Sequence, residues 1–191
     1  AKKSSKSIIV LLHGMEGHGQ RPYITGPALL FNNNNIDAIC VNFRGCSGEL
    51  NMKYSSFHSG MTEDLEDVIN HVISLNRYDS IFIKGISLGA NILLKYLGED
   101  NDIPTQVKAG MAVSAPCDLS GSAKALHKLK NLPYQINFLW GLLKRLKLKQ
   151  KQLSTKPIDT IQAPHQLWSP QHISRQSIHL NSKTEPRRAI S

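Results

Sequence analysis

The pentapeptide Gly85-Ile86-Ser87-Leu88-Gly89 is the stretch of this sequence best suited to chemistry. A serine hydroxyl is a weak nucleophile until its surroundings orient it and accept its proton. A sharp strand-to-helix turn supplies the orientation, holding the serine backbone in a strained conformation and lifting the hydroxyl above the sheet edge. Side chains two positions to either side would collide in such a turn, and Gly85 and Gly89 remove those clashes. The helix that follows directs its N-terminus at negative charge growing on a substrate oxygen, with the Leu88 backbone N–H as one donor. The loop after an earlier strand would supply the second donor, and His13-Gly14-Met15-Glu16-Gly17 stands at that place in chain order, offering the Met15 N–H. Loss of one such donor costs on the order of 10²–10³ in turnover.

Alone, the pentapeptide reads as a glycine-flanked turn with a solvated serine. Its context decides otherwise. Ser80 to Lys84 (SIFIK) precedes it with the pattern of a strand, and the run from Asn91 to Leu97 follows as a helix. Ser7 to Leu12 (SIIVLL) ends at His13-Gly14 and reads as a strand buried on both faces. Asp37 to Phe43 and Ala109 to Ala115 are two further strand candidates. Between them, Tyr23 to Phe31 and Thr62 to Leu75 carry helical spacing. In the latter Leu65, Val68, Ile69, Val72 and Ile73 share one face, with Thr62 suited to the N-cap and Glu63 and Asp64 in the first turn. Asn32 to Asn35 reads as a helix end and turn. Strands alternating with helices imply a mostly parallel sheet with helices on both faces, an α/β fold.

After Asp118 the pattern changes. Ser122 to Lys130 and Pro133 to Lys149 look helical, and in the second Ile136, Leu139, Trp140, Leu143 and Leu146 form one apolar stripe beside a basic face. From Ser154 onward four prolines and little periodicity predict mostly irregular chain.

Composition bounds the rest. At 191 residues and 40% hydrophobic content the sequence suits one globular domain, and no apolar run is long enough to span a bilayer. It begins Ala1-Lys2-Lys3-Ser4-Ser5-Lys6 with no Met and no apolar signal segment, so a cytoplasmic place and a missing upstream piece are expected. Cys40, Cys46 and Cys117 lack C-x-x-C spacing and indicate neither a disulfide framework nor zinc. Cys46 reads as a packed loop residue rather than a reactive thiol. His13, His18 and His58 form no metal-ligating pattern, and His13 is expected to pack beneath its loop. Nucleotide-binding glycine motifs are absent, so no cofactor and no metal are expected. The net charge of +9 is confined to the end of the chain: residues 1–120 carry ten basic and twelve acidic side chains, residues 121–191 thirteen and two. Without aromatic interleaving this does not indicate a nucleic-acid partner. Nothing in the pattern fixes an oligomeric state.

The segments LLHGMEGHGQRPYITGPA, CVNFRGCSGE, HSGMTEDL, GISLGANILLKYLGE and SAPCDLSGSA together resemble the YheT-like branch of the α/β-hydrolases, a group read as carboxylic-ester hydrolases. The resemblance implies an α/β-hydrolase fold incomplete at both ends, divided into a core over 7–120, a helical lid segment over 121–153 and a divergent tail over 154–191. It makes Ser87 the nucleophile of an acyl-serine mechanism, Met15 and Leu88 the oxyanion-hole positions, and the substrate a small-molecule ester or acyl-lipid such as an acylglycerol. The 133–149 helix would cover an acyl chain; its lysines offer at most weak contact with a membrane surface, against the plainer reading of a solvated basic face.

The likeness fades near Ile161. Family members continue with two strands bearing the catalytic Asp and His, whereas Gln162-Ala163-Pro164-His165 follows here, as a truncated or frameshifted reading frame would give. Asp118 or Asp159 before His165, His172 or His179 would keep the required chain order, but no strand is predicted to position them, and Asp118 reads better as a turn or cap residue. A second reading is therefore a catalytically inactive fragment or binding module lacking the triad acid and base.

Overall fold

The computed structural model describes residues 5–48, 58–99 and 102–153 of the chain. Four aliphatic runs form strands β1 (Ser7–Leu12), β2 (Asp37–Val41), β3 (Ser80–Ile86) and β4 (Val107–Val113), paired in parallel in the order β2-β1-β3-β4. Successive side chains of a strand point to opposite faces, and on β1 both faces are covered. Ile8, Val10 and Leu12 pack against Leu65, Ile69 and Val72 of α2 (Glu63–Ser74) and against Ile92, Leu93 and Tyr96 of α3 (Leu88–Gly98). Ile9 and Leu11 face the other way, onto Ile24 and Ala28 of α1 (Pro22–Asn33). Each such buried aliphatic side chain contributes about 1.5–3 kcal/mol of burial free energy. The layered α/β arrangement expected from the alternation of strands and helices is present.

Several boundaries differ from the sequence expectation for local reasons. β2 ends at Val41 rather than Phe43 because the next two residues bind elsewhere: Asn42 Oδ1 accepts the Gly19 N–H at 2.7 Å, and the Phe43 N–H donates to His13 Nε2 at 3.4 Å. β3 continues through Gly85 and Ile86, so the strand runs directly into the serine. β4 begins two residues early, at Val107, with an irregular register against β3 between Ile81 and Phe82. Thr62 does stand before the first turn of α2, but its hydroxyl donates to Glu99 Oε2 at 2.8 Å instead of capping the helix. Pro22 opens α1, where its missing N–H and fixed φ cost nothing. At the far end Asn34 caps the helix and Asn35 takes φ +60°, as a run of asparagines at a helix end allows.

β4 lies at one end of the sheet, and Lys108 to Met111 are exposed. Gly110 lets the side chains of Leu93 and Leu97 of α3 approach the strand closely, since an added Cβ there would meet Leu97 Cδ1 at 2.9 Å. Beyond β4 come α4 (Leu119–Leu126), a 3₁₀ turn at Leu129–Asn131 and α5 (Leu132–Leu153). The first helix thus starts at Leu119 rather than Ser122 and stops short of Lys130, where Asn131 Nδ2 bonds the Ala125 carbonyl at 2.7 Å. The apolar stripe of α5 is not buried as a unit: Ile136 and Trp140 are exposed, and Trp140 lies beneath the Lys144 ammonium at 5.9 Å. Among the described residues no helix is long and apolar enough to cross a membrane. The tail over 154–191, with Asp159, His165, His172, His179 and Glu185, lies outside the described residues.

Candidate active site

Strand order places the chemistry. From β1 the chain crosses over one face to β2, then returns over the opposite face to β3 on the other flank of β1. Adjacent strands whose connections leave in opposite directions open a crevice at their carboxyl ends, where α/β proteins bind ligands. β1 and β3 are that pair. Their register matches Leu12 with Gly85, so continuing two residues brings Gly14 opposite Ser87.

The contact follows from that register. A Cβ added to Gly14 would stand 3.2 Å from Ser87 Cβ and 3.7 Å from Ser87 Oγ, so the backbone of the 13–17 loop passes directly beside the hydroxyl. Ser87 has φ +53° and ψ −116°, a conformation that side chains rarely adopt and that costs of order 1–3 kcal/mol. Its N–H donates to the Val113 carbonyl at 2.9 Å and its own carbonyl accepts from the Asn91 N–H at 3.1 Å, which fixes the peptide on both sides. The side chain is exposed.

Gly85 and Gly89 both lie too close to their neighbours to carry a side chain. A Cβ on Gly85 would fall 2.6 Å from both the N and the Cα of Ala90, and one on Gly89 would fall 2.6 Å from the His13 carbonyl oxygen. The first turn of α3 is thereby pressed onto the ends of β1 and β3. Leu88, first residue of α3, follows Ser87 at the open helix end, where the leading N–H groups have no carbonyl one turn back.

Met15 occupies the second position of a turn closed by the Gly17 N–H donating to the Gly14 carbonyl at 3.1 Å. His13 secures that turn. Its ring is fully buried, with Nδ1 at 2.7 Å from the Gly14 carbonyl and Nε2 accepting from Phe43 N–H. These partners assign the neutral imidazole with its proton on Nδ1. The ring also meets Phe43 edge-on, centroids 4.9 Å apart. With both nitrogens bound to backbone, His13 is a clip rather than a proton carrier.

Among the described residues no side chain hydrogen-bonds the Ser87 hydroxyl, and no group of three His, Cys, Asp or Glu could hold a metal ion. Asp118 caps α4, accepting the Gly121 N–H at 2.8 Å. Cys46 is buried in the main core, while burial pushes the Cys40 thiol above its ordinary value. His18 bonds the Gln20 side chain at 2.9 Å, and His58 Nδ1 accepts the Gly60 N–H at 3.1 Å.

Three supports were missed in the sequence. Buried Asn91 donates from Nδ2 to the Pro116 carbonyl at 3.2 Å, tethering the β4–α4 loop to α3. Arg44 binds Asp64 through Nε at 2.9 and 3.1 Å, joining the loop after β2 to the start of α2; that bond holds the guanidinium above its ordinary value. Glu16 reaches the distant Gly141. A polar side chain next to a glycine-rich loop is a weak cue to the first two, and no cue exists for the third.

A family model described as serine aminopeptidase, S33, matches residues 3–168. Among curated proteins, "Putative esterase YheT" of Escherichia coli is 34% identical over 145 residues, 75% of this chain and 42% of that one. Phospholipase ABHD3 of Bos taurus is 29% identical over 156 residues, 82% of this chain and 38% of that one. The chain therefore spans less than half the length of these relatives. Among solved structures, the Pyrococcus furiosus esterase PF2001 aligns with a TM-score of 0.56 at 18% identity, covering 74% of this chain and 52% of that one.

Proposed function

Because the chain belongs to the serine aminopeptidase, S33, family and has an α/β-hydrolase fold, we propose that it cleaves carboxylic esters through an acyl intermediate on Ser87. One observation carries this reading: a strained, exposed serine whose hydroxyl lies beside the Gly14 backbone at the carboxyl ends of β1 and β3. Ser87 Oγ attacks the ester carbonyl carbon, and the carbonyl π electrons move to oxygen. The N–H groups of Leu88 and Met15 receive that oxyanion. Collapse expels the alcohol with a proton, and water then releases the acid and restores the serine. In the chain order of this fold the acid and the base that takes the Ser87 proton follow the nucleophile. Neither metal nor organic cofactor enters these steps.

Esters are favoured over peptides because the relatives above bear esterase and phospholipase names. An acyl-lipid such as an acylglycerol is the substrate class, with the helices from Asp118 onward as a lid on a cytoplasmic protein. The apolar and lysine-bearing exterior of α5 gives weak contact with an anionic membrane surface. A second reading, an inactive binding module, is favoured by the lack of a side chain bonded to the Ser87 hydroxyl among the described residues. Labelling with a fluorophosphonate and turnover of p-nitrophenyl esters of increasing acyl length discriminate the two. Labelling and turnover abolished by Ser87→Ala support the esterase; absence of both in the unaltered chain supports the module.

A further inference from the structure

Two residues that are each poor choices for their own local structure meet at one contact. Glu16 is the third residue of the turn Gly14–Gly17 and has φ +56°, a position that favours glycine or asparagine. Gly141 lies in the interior of α5, where glycine is the weakest ordinary helix former. A Cβ added to Gly141 would fall 2.9 Å from Glu16 Cδ and 3.1 Å from Glu16 Cγ, so the carboxylate rests directly on the helix backbone and no side chain fits between them.

We propose that Glu16 is a positioning residue that couples α5 to the turn carrying the Met15 N–H. The turn is short and closed by the single Gly17-to-Gly14 backbone bond, with His13 holding the same carbonyl from below. A load applied at Glu16 is therefore passed to the neighbouring Met15 peptide rather than absorbed along a loop. With α5 seated, the carboxylate holds the turn against the end of β1. With α5 displaced, the left-handed conformation of Glu16 loses its support and the Met15 amide is free to reorient. The importance of Met15 rests on the function proposed above, but the mechanical coupling of helix and turn does not.

Hydrogen exchange on the full chain tests this, read by mass spectrometry on peptides covering residues 13–21. Gly141→Val and Glu16→Ala are each expected to raise exchange in that peptide by on the order of fivefold or more, the lower range of ordinary coupling between sites. Peptides from α3 stay unchanged. The double variant exchanges no faster than either single one, because both remove the same contact. Glu16→Gln, which keeps the shape and length of the side chain, restores the protection lost in Glu16→Ala. Asn137→Ala, on the exposed side of α5, has no effect. Where Gly141→Val unfolds α5 by circular dichroism, Gly141→Ala replaces it. Unchanged exchange at residues 13–21 with α5 helical, or additive effects in the double variant, overturns the proposal. Ser87→Ala leaves the exchange pattern intact whether or not esters are cleaved, so failure of the coupling and failure of the esterase reading are separate results.

Discussion

Replacing Gly89 by alanine places one methyl group against atoms that cannot step aside one at a time. Its Cβ would lie 2.6 Å from the His13 carbonyl oxygen, 2.7 Å from the Leu12 carbonyl oxygen and 2.8 Å from Leu12 Cβ, where real Cβ contacts essentially never fall below 3.0 Å. Two of the three are backbone atoms at the end of β1, which is hydrogen-bonded to strands on both sides. The relief must come from α3, whose first turn has to withdraw by about half an ångström, and overpacking of this kind costs about 1–3 kcal/mol. Alanine returns at most about 1 kcal/mol of helix propensity, leaving a net loss of up to roughly 2 kcal/mol. Gly26, inside α1, is the matched control, since a Cβ there meets nothing within 4 Å. Gly26→Ala should therefore stabilise by about 0.5–1 kcal/mol. Urea unfolding measures both, and the midpoints should move in opposite directions at similar slope. The same withdrawal carries the Leu88 amide away from Ser87, so fluorophosphonate labelling should slow in Gly89→Ala and stay unchanged in Gly26→Ala. Equal stability of the two variants would refute the close approach of α3 to β1 on which the site is built.

Ser87→Gly should be more stable than Ser87→Ala by about 1–2 kcal/mol in urea, since only glycine adopts φ +53°, ψ −116° without strain; equal stabilities would mean the backbone relaxes. His13→Leu should cost about 2–4 kcal/mol, because the Gly14 carbonyl and the Phe43 N–H both lose a buried partner; a cost under 1 kcal/mol in thermal unfolding would contradict the clip. Burial, with Glu66 adding to it, holds the Tyr96 hydroxyl above its ordinary 10.0. The folded chain thus keeps that proton longer than the unfolded one, so this contribution to stability is full below about pH 10 and is lost as pH rises beyond it. Tyr96→Phe should flatten the alkaline decline, and an unchanged decline would place its cause elsewhere.

Much of the site was legible because its cues are local. Strand, glycine, serine, glycine and helix occur in one run from Ser80 to Gly98, and each constrains its neighbour sterically. Gly14 beside Ser87 was not legible in detail, because it depends on β3 pairing with the flank of β1 opposite β2, a matter of strand order. Thr62 illustrates a different limit. Its place before α2 could be read from the helix period, yet its hydroxyl turned to Glu99, a partner set by how α2 packs on α3. The stripe on α5 shows a third limit: spacing tells which side chains share a face, and not whether anything covers it.

The strained serine is held by more constraints than its strain requires. Val113 and Asn91 bind its peptide from β4 and α3, Gly85 and Gly89 lock the turn against β1 and β3, and Gly14 closes the remaining side. Every one of these contacts lies within residues 13–113, and none involves α4 or α5. Backbone geometry at Ser87 is therefore set without α4 and α5. Such a division lets the segments after Val113 vary while the turn at Ser87 keeps its form. The 13–17 loop is the exception, since Met15 lies between the clip at His13 and the contact that Glu16 makes with α5. Under the function proposed above, it is the part of the site that lies in contact with α5.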